Sequence, residues 1–255
     1  MIEILATLGP SSLKSDVIQK LSDEGVSLFR INLSHTPLEK IKPTIEIIQK
    51  NTKVPISLDT EGAQIRNQSM QNGTVLFKKG EIINIHNESI VGDENNVSFA
   101  PVYIGKTLEV GDYIEIDFHS TAIRVIEKKD THCIAEVEIG GKVGSNKAVD
   151  VDRAVCLEPI TEKDKAAIKI GKEMEVTHYA LSFANTSDDV EQMRSLIGDD
   201  SKLISKIESR SGLENLEKIL KATDAILIDR GDLSRQIAIE KIPFLQRKII
   251  ATAKY

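Results

Sequence analysis

The sequence predicts an α/β fold in which a parallel sheet is interrupted once by a small antiparallel β domain. Apolar runs alternate with segments of helical spacing before residue 67 and after residue 157, as in successive βα units. Between these regions lie only short alternating segments separated by Gly, Asn and Asp, which is typical of antiparallel strands. A length of 255 residues suits a single α/β barrel or two smaller domains.

The first part of the predicted barrel domain, residues 1–67, contains three strands and two helices. Strands are expected at 2–8, 26–33 and 54–60, because each is an apolar run that ends in polar residues. Ser11 or Ser12 is the expected cap of the first helix, which Gly25 ends. Pro37 opens a second helix that runs to about residue 49, with Ile41, Ile45 and Ile48 on one face.

The inserted β domain is predicted at 68–156, and the second part of the barrel domain at 157–255. Thr161 is the expected N-cap of the helix that opens this part, with Asp164 three residues further on. Strands at 177–183, 202–208 and 224–229 then alternate with helices at about 187–196, 212–220 and 239–254. The total is six βα units, and an eight-stranded barrel would need two more.

Charged residues concentrate at the ends of two consecutive predicted strands. Lys206 and Glu208 close one strand, and Asp229, Arg230 and Asp232 follow the next. The carboxyl ends of parallel strands are where α/β proteins bind ligands, so a lysine and two carboxylates are expected to share one site. The alternative is that they are surface loop charges, the common position of such residues. Their matching positions after consecutive strands favour the ligand site.

The composition excludes several classes of partner. A formal net charge of -6 argues against nucleic acid and anionic membranes, which require a basic surface. Cys133 and Cys156 stand far apart without a CxxC or His-rich setting, as reduced thiols of a cytoplasmic protein do. No stretch approaches the roughly 20 apolar residues of a membrane span. We therefore expect a cytoplasmic protein without a membrane partner.

Eight segments resemble the N-terminal part of the pyruvate kinase family, in the family's order and at its spacing. They are TLGPSS, RINLSH, SLDTEGAQIR, EVGDYIEID, EVEIGGKVGSNKAV, ITEKDKAAI, KIESRSGLENL and RGDL. The resemblance runs from Ala6 to Ala251 and implies a (β/α)8 TIM barrel, here incomplete, with a small β-barrel domain after the third strand. It also implies phosphoryl transfer between phosphoenolpyruvate and a nucleoside diphosphate, giving pyruvate and ATP from ADP, with Mg²⁺ or Mn²⁺ and K⁺.

The resemblance implies roles for individual residues. Glu208 and Asp232 hold the divalent cation, as a pair of carboxylates suits Mg²⁺. Lys206 offsets charge on the phosphoryl group in transfer, and Arg30 and Arg66 are phosphate-binding arginines with catalytic roles. The implied K⁺ ligands are Asn32, Ser34, Asp59 and Thr60. The implied nucleotide-binding residues are His35, Arg66 and Lys147, and the implied substrate-binding residues are Arg30, Lys206, Arg230, Gly231 and Asp232.

Several of these residues also have a simpler interpretation. Ser34 and Thr60 can cap the helices that follow them, which is the commoner role of a lone Ser or Thr. Asp229 departs from the family, which has a small residue there against the substrate carboxylate. We expect Asp229 either to repel that carboxylate or to select a different ligand. Glu61 and Ser234 are further departures within the motifs.

The family continues with two more βα units, whose next strand carries a threonine central to proton transfer, and with a C-terminal domain. We therefore expect this chain to be part of a longer polypeptide, or a homo-oligomer in which another subunit completes the barrel, and to be slow in turnover alone. Two other functions stay open on the same fold. One is a Mg²⁺-dependent lyase or aldolase acting on a pyruvate-type enolate. The other is a non-catalytic domain for phosphoenolpyruvate or pyruvate binding, or for assembly.

Overall fold

The computed structural model describes residues 2–153 and 155–254, and the chain divides into two compact units. Unit 1 comprises Met1–Ala63 and Glu158–Tyr255, and unit 2 comprises Gln64–Leu157. Residues 65–67, which the sequence analysis assigned to the first part of the barrel domain, pair with strands of unit 2 instead.

The described elements follow one another in three runs along the chain. Unit 1 begins with β1 (Leu5–Thr7), α1 (Ser15–Asp23), β2 (Leu28–Asn32), α2 (Leu38–Asn51) and β3 (Ile56–Asp59). Unit 2 contains β4 (Ile65–Asn67), β5 (Thr74–Phe77), β6 (Ile82–His86), β7 (Asn96–Ala100), α3 (Ile104–Thr107), β8 (Tyr113–Ile116), β9 (Thr121–Lys128), β10 (His132–Ile139), β11 (Gly141–Gly144) and β12 (Ala148–Val151). Unit 1 resumes with α4 (Glu162–Glu173), β13 (His178–Leu181), α5 (Ser187–Ile197), β14 (Lys202–Ile207), α6 (Arg210–Glu214), α7 (Leu216–Ala222), β15 (Ala225–Ile228), α8 (Arg230–Gln236) and α9 (Ile242–Ala253). Short 3-10 turns lie at Gln71–Gly73 and Ile239–Lys241.

Unit 1 is built on a six-stranded parallel sheet with the strand order β1-β2-β3-β13-β14-β15. The strands therefore follow chain order once unit 2 is removed, which confirms the predicted six βα units and the incomplete barrel. All four residues of β3 and five of the six in β14 are buried, as expected for strands covered on both faces. The register pairs Asn32 with Asp59 at the carboxyl end of the sheet.

Unit 2 is a closed barrel with the strand order β10-β6-β7-β4-β12-β8-β9, beside a two-stranded sheet of β5 and β11. The predicted small β barrel is confirmed, but not as a purely antiparallel one, because β6 and β7 run parallel. The connection over residues 87–95 leads the chain back along β6, so that Asn96 pairs with Asn84 and both strands run in the same direction. The sequence pattern does not reveal this, because alternation is the same in both kinds of strand.

Helix starts agree with the sequence only in part. The predicted cap of α1 at Ser11 or Ser12 is wrong: the N-cap is Lys14, and Ser12 Oγ instead accepts a hydrogen bond from Gly9 N at 2.9 Å within the preceding turn. The predicted helix at 212–220 is two helices that meet at Asn215. The helix α8 was not predicted at all. In contrast, the Thr161 cap of α4 is confirmed as a full capping box.

The core of unit 1 is aliphatic, as the sequence predicts. The predicted face of α2, namely Ile41, Ile45 and Ile48, is completely buried against the sheet residues Ile31 and Leu58 in one cluster. Among the described helices, none is long and apolar enough to cross a membrane.

Asp164 ties the start of α4 to the loop after β3. Its carboxylate accepts hydrogen bonds from Thr161 N at 3.0 Å, from Glu61 N at 2.8 Å and from Gly62 N at 3.3 Å. Burial raises the pKa of Asp164 even though these amides oppose the shift. Because buried amides without acceptors are costly, this one side chain satisfies donors from two parts of unit 1.

We predict that Asp164→Ala lowers the free energy of unfolding by about 2–4 kcal/mol, because the carboxylate half of the capping box is lost and two loop amides lose their acceptor as well. The matched control is Asp189→Ala on α5, where the carboxylate serves an equivalent capping box and, among the described residues, accepts from Asn185 N and Thr186 N. Urea unfolding should show the larger loss in Asp164→Ala. Equal losses would contradict the tie to residues 61 and 62.

Candidate active site

A buried lysine lies at the centre of the candidate site. Lys206, near the end of β14, is only 4% exposed, and its Nζ lies 2.8 Å from Glu208 Oε1 and 3.3 Å from Asp59 Oδ2. Nζ also donates to Ser182 Oγ at 3.1 Å, and Asp229 Oδ2 lies 3.8 Å away. The predicted meeting of a lysine and carboxylates from consecutive strands is therefore present within unit 1.

The electrostatics of this lysine favour its charged form. Burial lowers the pKa of Lys206, but attraction to Asp59 and Glu208 outweighs burial and leaves the pKa above its ordinary value. Burial raises the pKa of Glu208 to about 7, against the opposing effect of Lys206. An ammonium held in this way carries a fixed positive charge in a place shielded from water.

Glu208 is held from its other side by the backbone. Its Oε2 accepts a hydrogen bond from Phe183 N at 2.6 Å, and Phe183 adopts a left-handed conformation with φ of 52°. The other oxygen, Oε1, is buried and accepts no aligned hydrogen bond among the described residues, with Lys206 Nζ as its ion-pair partner. One oxygen of Glu208 thus fixes the side chain while the other is directed into the site.

Arg30 and Lys206 meet at one carboxylate. Arg30 projects from β2, and its Nε donates to Asp59 Oδ2 at 2.6 Å, while Nη1 donates to Thr7 Oγ1 at 2.9 Å. The same Oδ2 faces Lys206, and Ser182 Oγ donates to Oδ1 at 3.1 Å. Asp59 is completely buried. Two cationic groups from different strands are therefore brought together by a single acid.

Three carboxylates, one buried and two partly exposed, form a group at this site. The three side chains each contribute one carboxylate oxygen, and these oxygens lie within 4.8 Å of one another. One metal ion could bind all three residues, Glu208, Asp229 and Asp232. Asp229 caps α8 by accepting from Asp232 N at 3.5 Å. Asp232 is oriented by Arg235, whose Nη1 donates to Asp232 Oδ1 at 3.0 Å. Carboxylate oxygens are the ligands that Mg²⁺ and Mn²⁺ prefer.

The residues implied as K⁺ ligands lie at the ends of the adjacent strands β2 and β3. Asn32 pairs in register with Asp59, and Asn32 Oδ1 accepts from Ser34 N at 2.9 Å. Thr60 is buried, and its Oγ1 accepts from Ser182 N at 2.9 Å. Thr60 thus does not cap a following helix, because its hydroxyl accepts from the backbone of Ser182, directly after β13.

Three other predicted residues belong to unit 2 or line a groove of unit 1. Arg66 and Lys147 belong to unit 2, where Arg66 Nη1 donates to Asn146 O at 2.8 Å and Lys147 Nζ lies 3.2 Å from Asp117 Oδ2. Arg230 is exposed and lines an open groove formed by β15 and α9.

Two further predicted residues of unit 1 are exposed or partly so. Gly231 is exposed at the start of α8, and His35 follows β2, where its backbone N donates to Asn32 O at 3.2 Å.

Sequence reasoning missed two residues of the site. Ser182 directly follows β13 and contacts both Lys206 and Asp59. Its position, a polar residue directly after an apolar strand, could have indicated a site residue. Arg235 lies three residues after Asp232 on a helix that was not predicted. An acid and a base three residues apart are neighbours on a helix, so this pair could be predicted only if the helix itself were predicted.

Comparison with known proteins gives a consistent result along the whole chain. The family model described as pyruvate kinase, barrel domain, matches residues 1–255. The chain is 35% identical over 262 residues to a pyruvate kinase of Thermotoga maritima, covering 99% of this chain and 56% of the relative. It is 32% identical over 259 residues to a pyruvate kinase of Clostridium perfringens, covering 97% and 55%. The chain thus spans about half the length of the curated relatives it matches.

We predict that Lys206→Met lowers the free energy of unfolding by about 3–5 kcal/mol, because it leaves buried carboxylates without their counter-charge. Lys202→Met, an exposed lysine of the same strand, is the control and should change stability little. The double variant Lys206→Met with Glu208→Gln should lose less than the sum of the single losses. Additive losses in urea unfolding would show that the two charges are not coupled.

Gly62 allows the loop after β3 to approach Ser182. Its φ is +70°, and a Cβ at this position would overlap the carbonyl oxygen of Ser182. We predict that Gly62→Ala lowers the free energy of unfolding by about 2–4 kcal/mol, because an alanine is strained at this positive φ and its Cβ would overlap Ser182. Gly25→Ala is the control, since Gly25 has φ of +92° and no atom within 4 Å of the added Cβ. Thermal or urea unfolding that shows equal losses for both variants would exclude the close approach.

Proposed function

The chain belongs to the pyruvate kinase family, and from this premise we propose that it forms the catalytic part of a phosphotransferase acting between phosphoenolpyruvate and a nucleoside diphosphate. The observation that most supports this proposal is the buried Lys206 ammonium, which shares Asp59 with Arg30 and lies next to two members of the group of three carboxylates. Phosphoryl transfer is catalysed mainly by positioning and by charge stabilisation, and this arrangement supplies both signs of charge in one place.

In the proposed reaction, Lys206 and Arg30 bind oxygens of the transferring phosphoryl group. The ammonium is a point charge, and the guanidinium offers a planar fork that matches phosphate oxygens. Ser182 and Asp59 hold Lys206 in place, so that little reorganisation is needed when the phosphoryl group develops charge. Burial of Lys206 keeps water away and strengthens the interaction.

We assign the divalent cation, Mg²⁺ or Mn²⁺, to Glu208 and Asp232. These residues fit a hard cation, because both offer carboxylate oxygens and Glu208 Oε1 is buried without an aligned hydrogen bond among the described residues. When bound, the cation would neutralise and orient the anionic substrate. The chain's contribution is to fix both carboxylates, through Phe183 N for Glu208 and through Arg235 for Asp232.

We further assign K⁺ to Asn32, Ser34, Asp59 and Thr60, and the nucleotide to His35, Arg66 and Lys147. The register between Asn32 and Asp59 supports the first assignment, because it places two hard oxygen donors on neighbouring strands. The family resemblance supports the second. Phosphoenolpyruvate or pyruvate and ADP or ATP are the proposed partners of this cytoplasmic protein. Arg230 and Gly231 remain proposed substrate contacts.

We predict that the folded chain binds Mn²⁺, and that the Mn²⁺-loaded chain binds oxalate, a dianion that resembles the enolate of pyruvate. Glu208→Gln should weaken Mn²⁺ binding by about tenfold or more, because a buried anionic ligand is lost. Glu217→Gln on the exposed face of α7 is the control and should bind as the original chain does. Isothermal calorimetry measures each step.

Two results would count against this proposal. If titration of the folded chain with Mn²⁺ gives no heat beyond that of dilution, the proposed divalent cation site is wrong. Oxalate binding without any binding of ADP would instead favour the Mg²⁺-dependent lyase or aldolase on the same fold, which needs the metal ligands but no nucleotide.

A further inference from the structure

We propose that Asp229 is a third carboxylate ligand of the divalent cation, which lets this chain retain the cation without an anionic co-ligand. The inference rests on the proposed function, because it concerns the cation assigned to Glu208 and Asp232. It goes beyond that assignment by naming the residue that sets how strongly cation binding depends on the substrate.

The geometry of the three side chains supports this role. Asp229 contributes an oxygen to the group that lies within 4.8 Å together with oxygens of Glu208 and Asp232. Its other contacts are weak, since Oδ1 lies 3.5 Å from Asp232 N and Oδ2 lies 3.8 Å from Lys206 Nζ. The side chain is about one-third exposed, in contrast to the completely buried Glu208 side chain. The Asp229 carboxylate is thus accessible to an ion, and its contacts with Asp232 N and Lys206 Nζ are too long to be strong.

Glu208 supplies an independent observation that points to a cation. Its Oε1 is buried and accepts no aligned hydrogen bond among the described residues, although it forms an ion pair with Lys206. A carboxylate oxygen can accept from more than one partner, so Oε1, which has Lys206 Nζ at 2.8 Å, can also bind a cation. A cation between Glu208 and Asp229 would be that second partner.

The balance of charge explains what the third carboxylate changes. Asp59 pairs with Arg30, and Asp232 pairs with Arg235. With Glu208 ionised, Glu208 and Asp229 then have Lys206 as their shared counter-charge among the described ion pairs, which leaves one net negative charge.

A divalent cation would convert this negative charge into one net positive charge, whereas without Asp229 the loaded site would carry two. Asp229 therefore strengthens cation binding and weakens the attraction for an anionic co-ligand.

A purely structural role for Asp229 makes a different prediction. Asp229 is the N-cap of α8, and Ser serves equally well as an N-cap. Asp229→Ser therefore keeps the cap and removes the carboxylate, while Asp229→Ala removes both. If capping alone matters, Asp229→Ser behaves as the original chain.

The test measures Mn²⁺ binding by calorimetry, with and without oxalate, for the original chain, Asp229→Ser, Asp229→Ala and Asp188→Ala. We expect both Asp229 variants to weaken Mn²⁺ binding without oxalate by about tenfold or more, from the lost ligand charge. Oxalate should then improve Mn²⁺ binding more in these variants than in the original chain. Asp188→Ala, an exposed aspartate on α5, controls for net charge and should change nothing.

The possible failures are distinguishable. Mn²⁺ binding in Asp229→Ser within about twofold of the original chain, while Glu208→Gln still loses binding, overturns the role of Asp229 and leaves the proposed function intact. An equal loss in Asp188→Ala also overturns the role, because the effect would then be general charge. If the original chain binds no Mn²⁺, both proposals fail together. Urea unfolding of each variant confirms that the chain is folded.

Discussion

The site depends on one physical constraint, which is that the buried ammonium of Lys206 must be paired. Taking a charge out of water costs several kcal/mol unless opposite charges and hydrogen bonds replace the lost solvation. Glu208 and Asp59 supply the charge, and Ser182 supplies a hydrogen-bond acceptor. Asp59 is the last residue of β3, Ser182 directly follows β13 and Glu208 directly follows β14. The pairing therefore also fixes how the carboxyl ends of these neighbouring strands converge.

Backbone geometry supports this pairing at two positions. Gly62 adopts a positive φ that lets the loop after β3 pass close to Ser182, which in turn holds Asp59 and Lys206. Phe183 adopts a left-handed conformation that directs its amide to Glu208. A phenylalanine rarely occupies this region, so the hydrogen bond to a buried carboxylate offsets a local cost. The side chains and the backbone of the loop after β13 thus act on the same ion pair.

Much of the architecture could be predicted from the sequence, because periodicity reports burial directly. The six βα units, the buried face of α2 and the charged ends of β14 and β15 are all visible in this way. What could not be predicted depends on contacts between distant residues. The salt bridge of Arg30 with Asp59, the role of Ser182 and the parallel pair of β6 and β7 leave no local pattern. The cap at Ser12 was wrong because its hydroxyl satisfies the turn before α1 instead.

Position 229 shows how one substitution at the end of a strand can shift the balance of a charged site. Catalysis of phosphoryl transfer requires positive charge where the transferring group becomes more negative. An added carboxylate beside Lys206 lowers that positive charge, yet it also offers the cation a further oxygen. Two ligands are coupled only to the extent that binding of one changes the interaction free energy of the other. If Asp229 coordinates the cation, its negative charge replaces part of the charge that a bound anion would supply, so cation binding depends less on the anion. Because Ser, Asn and Asp all cap a helix, an exchange among them at position 229 would alter the charge of the site while keeping the cap of α8.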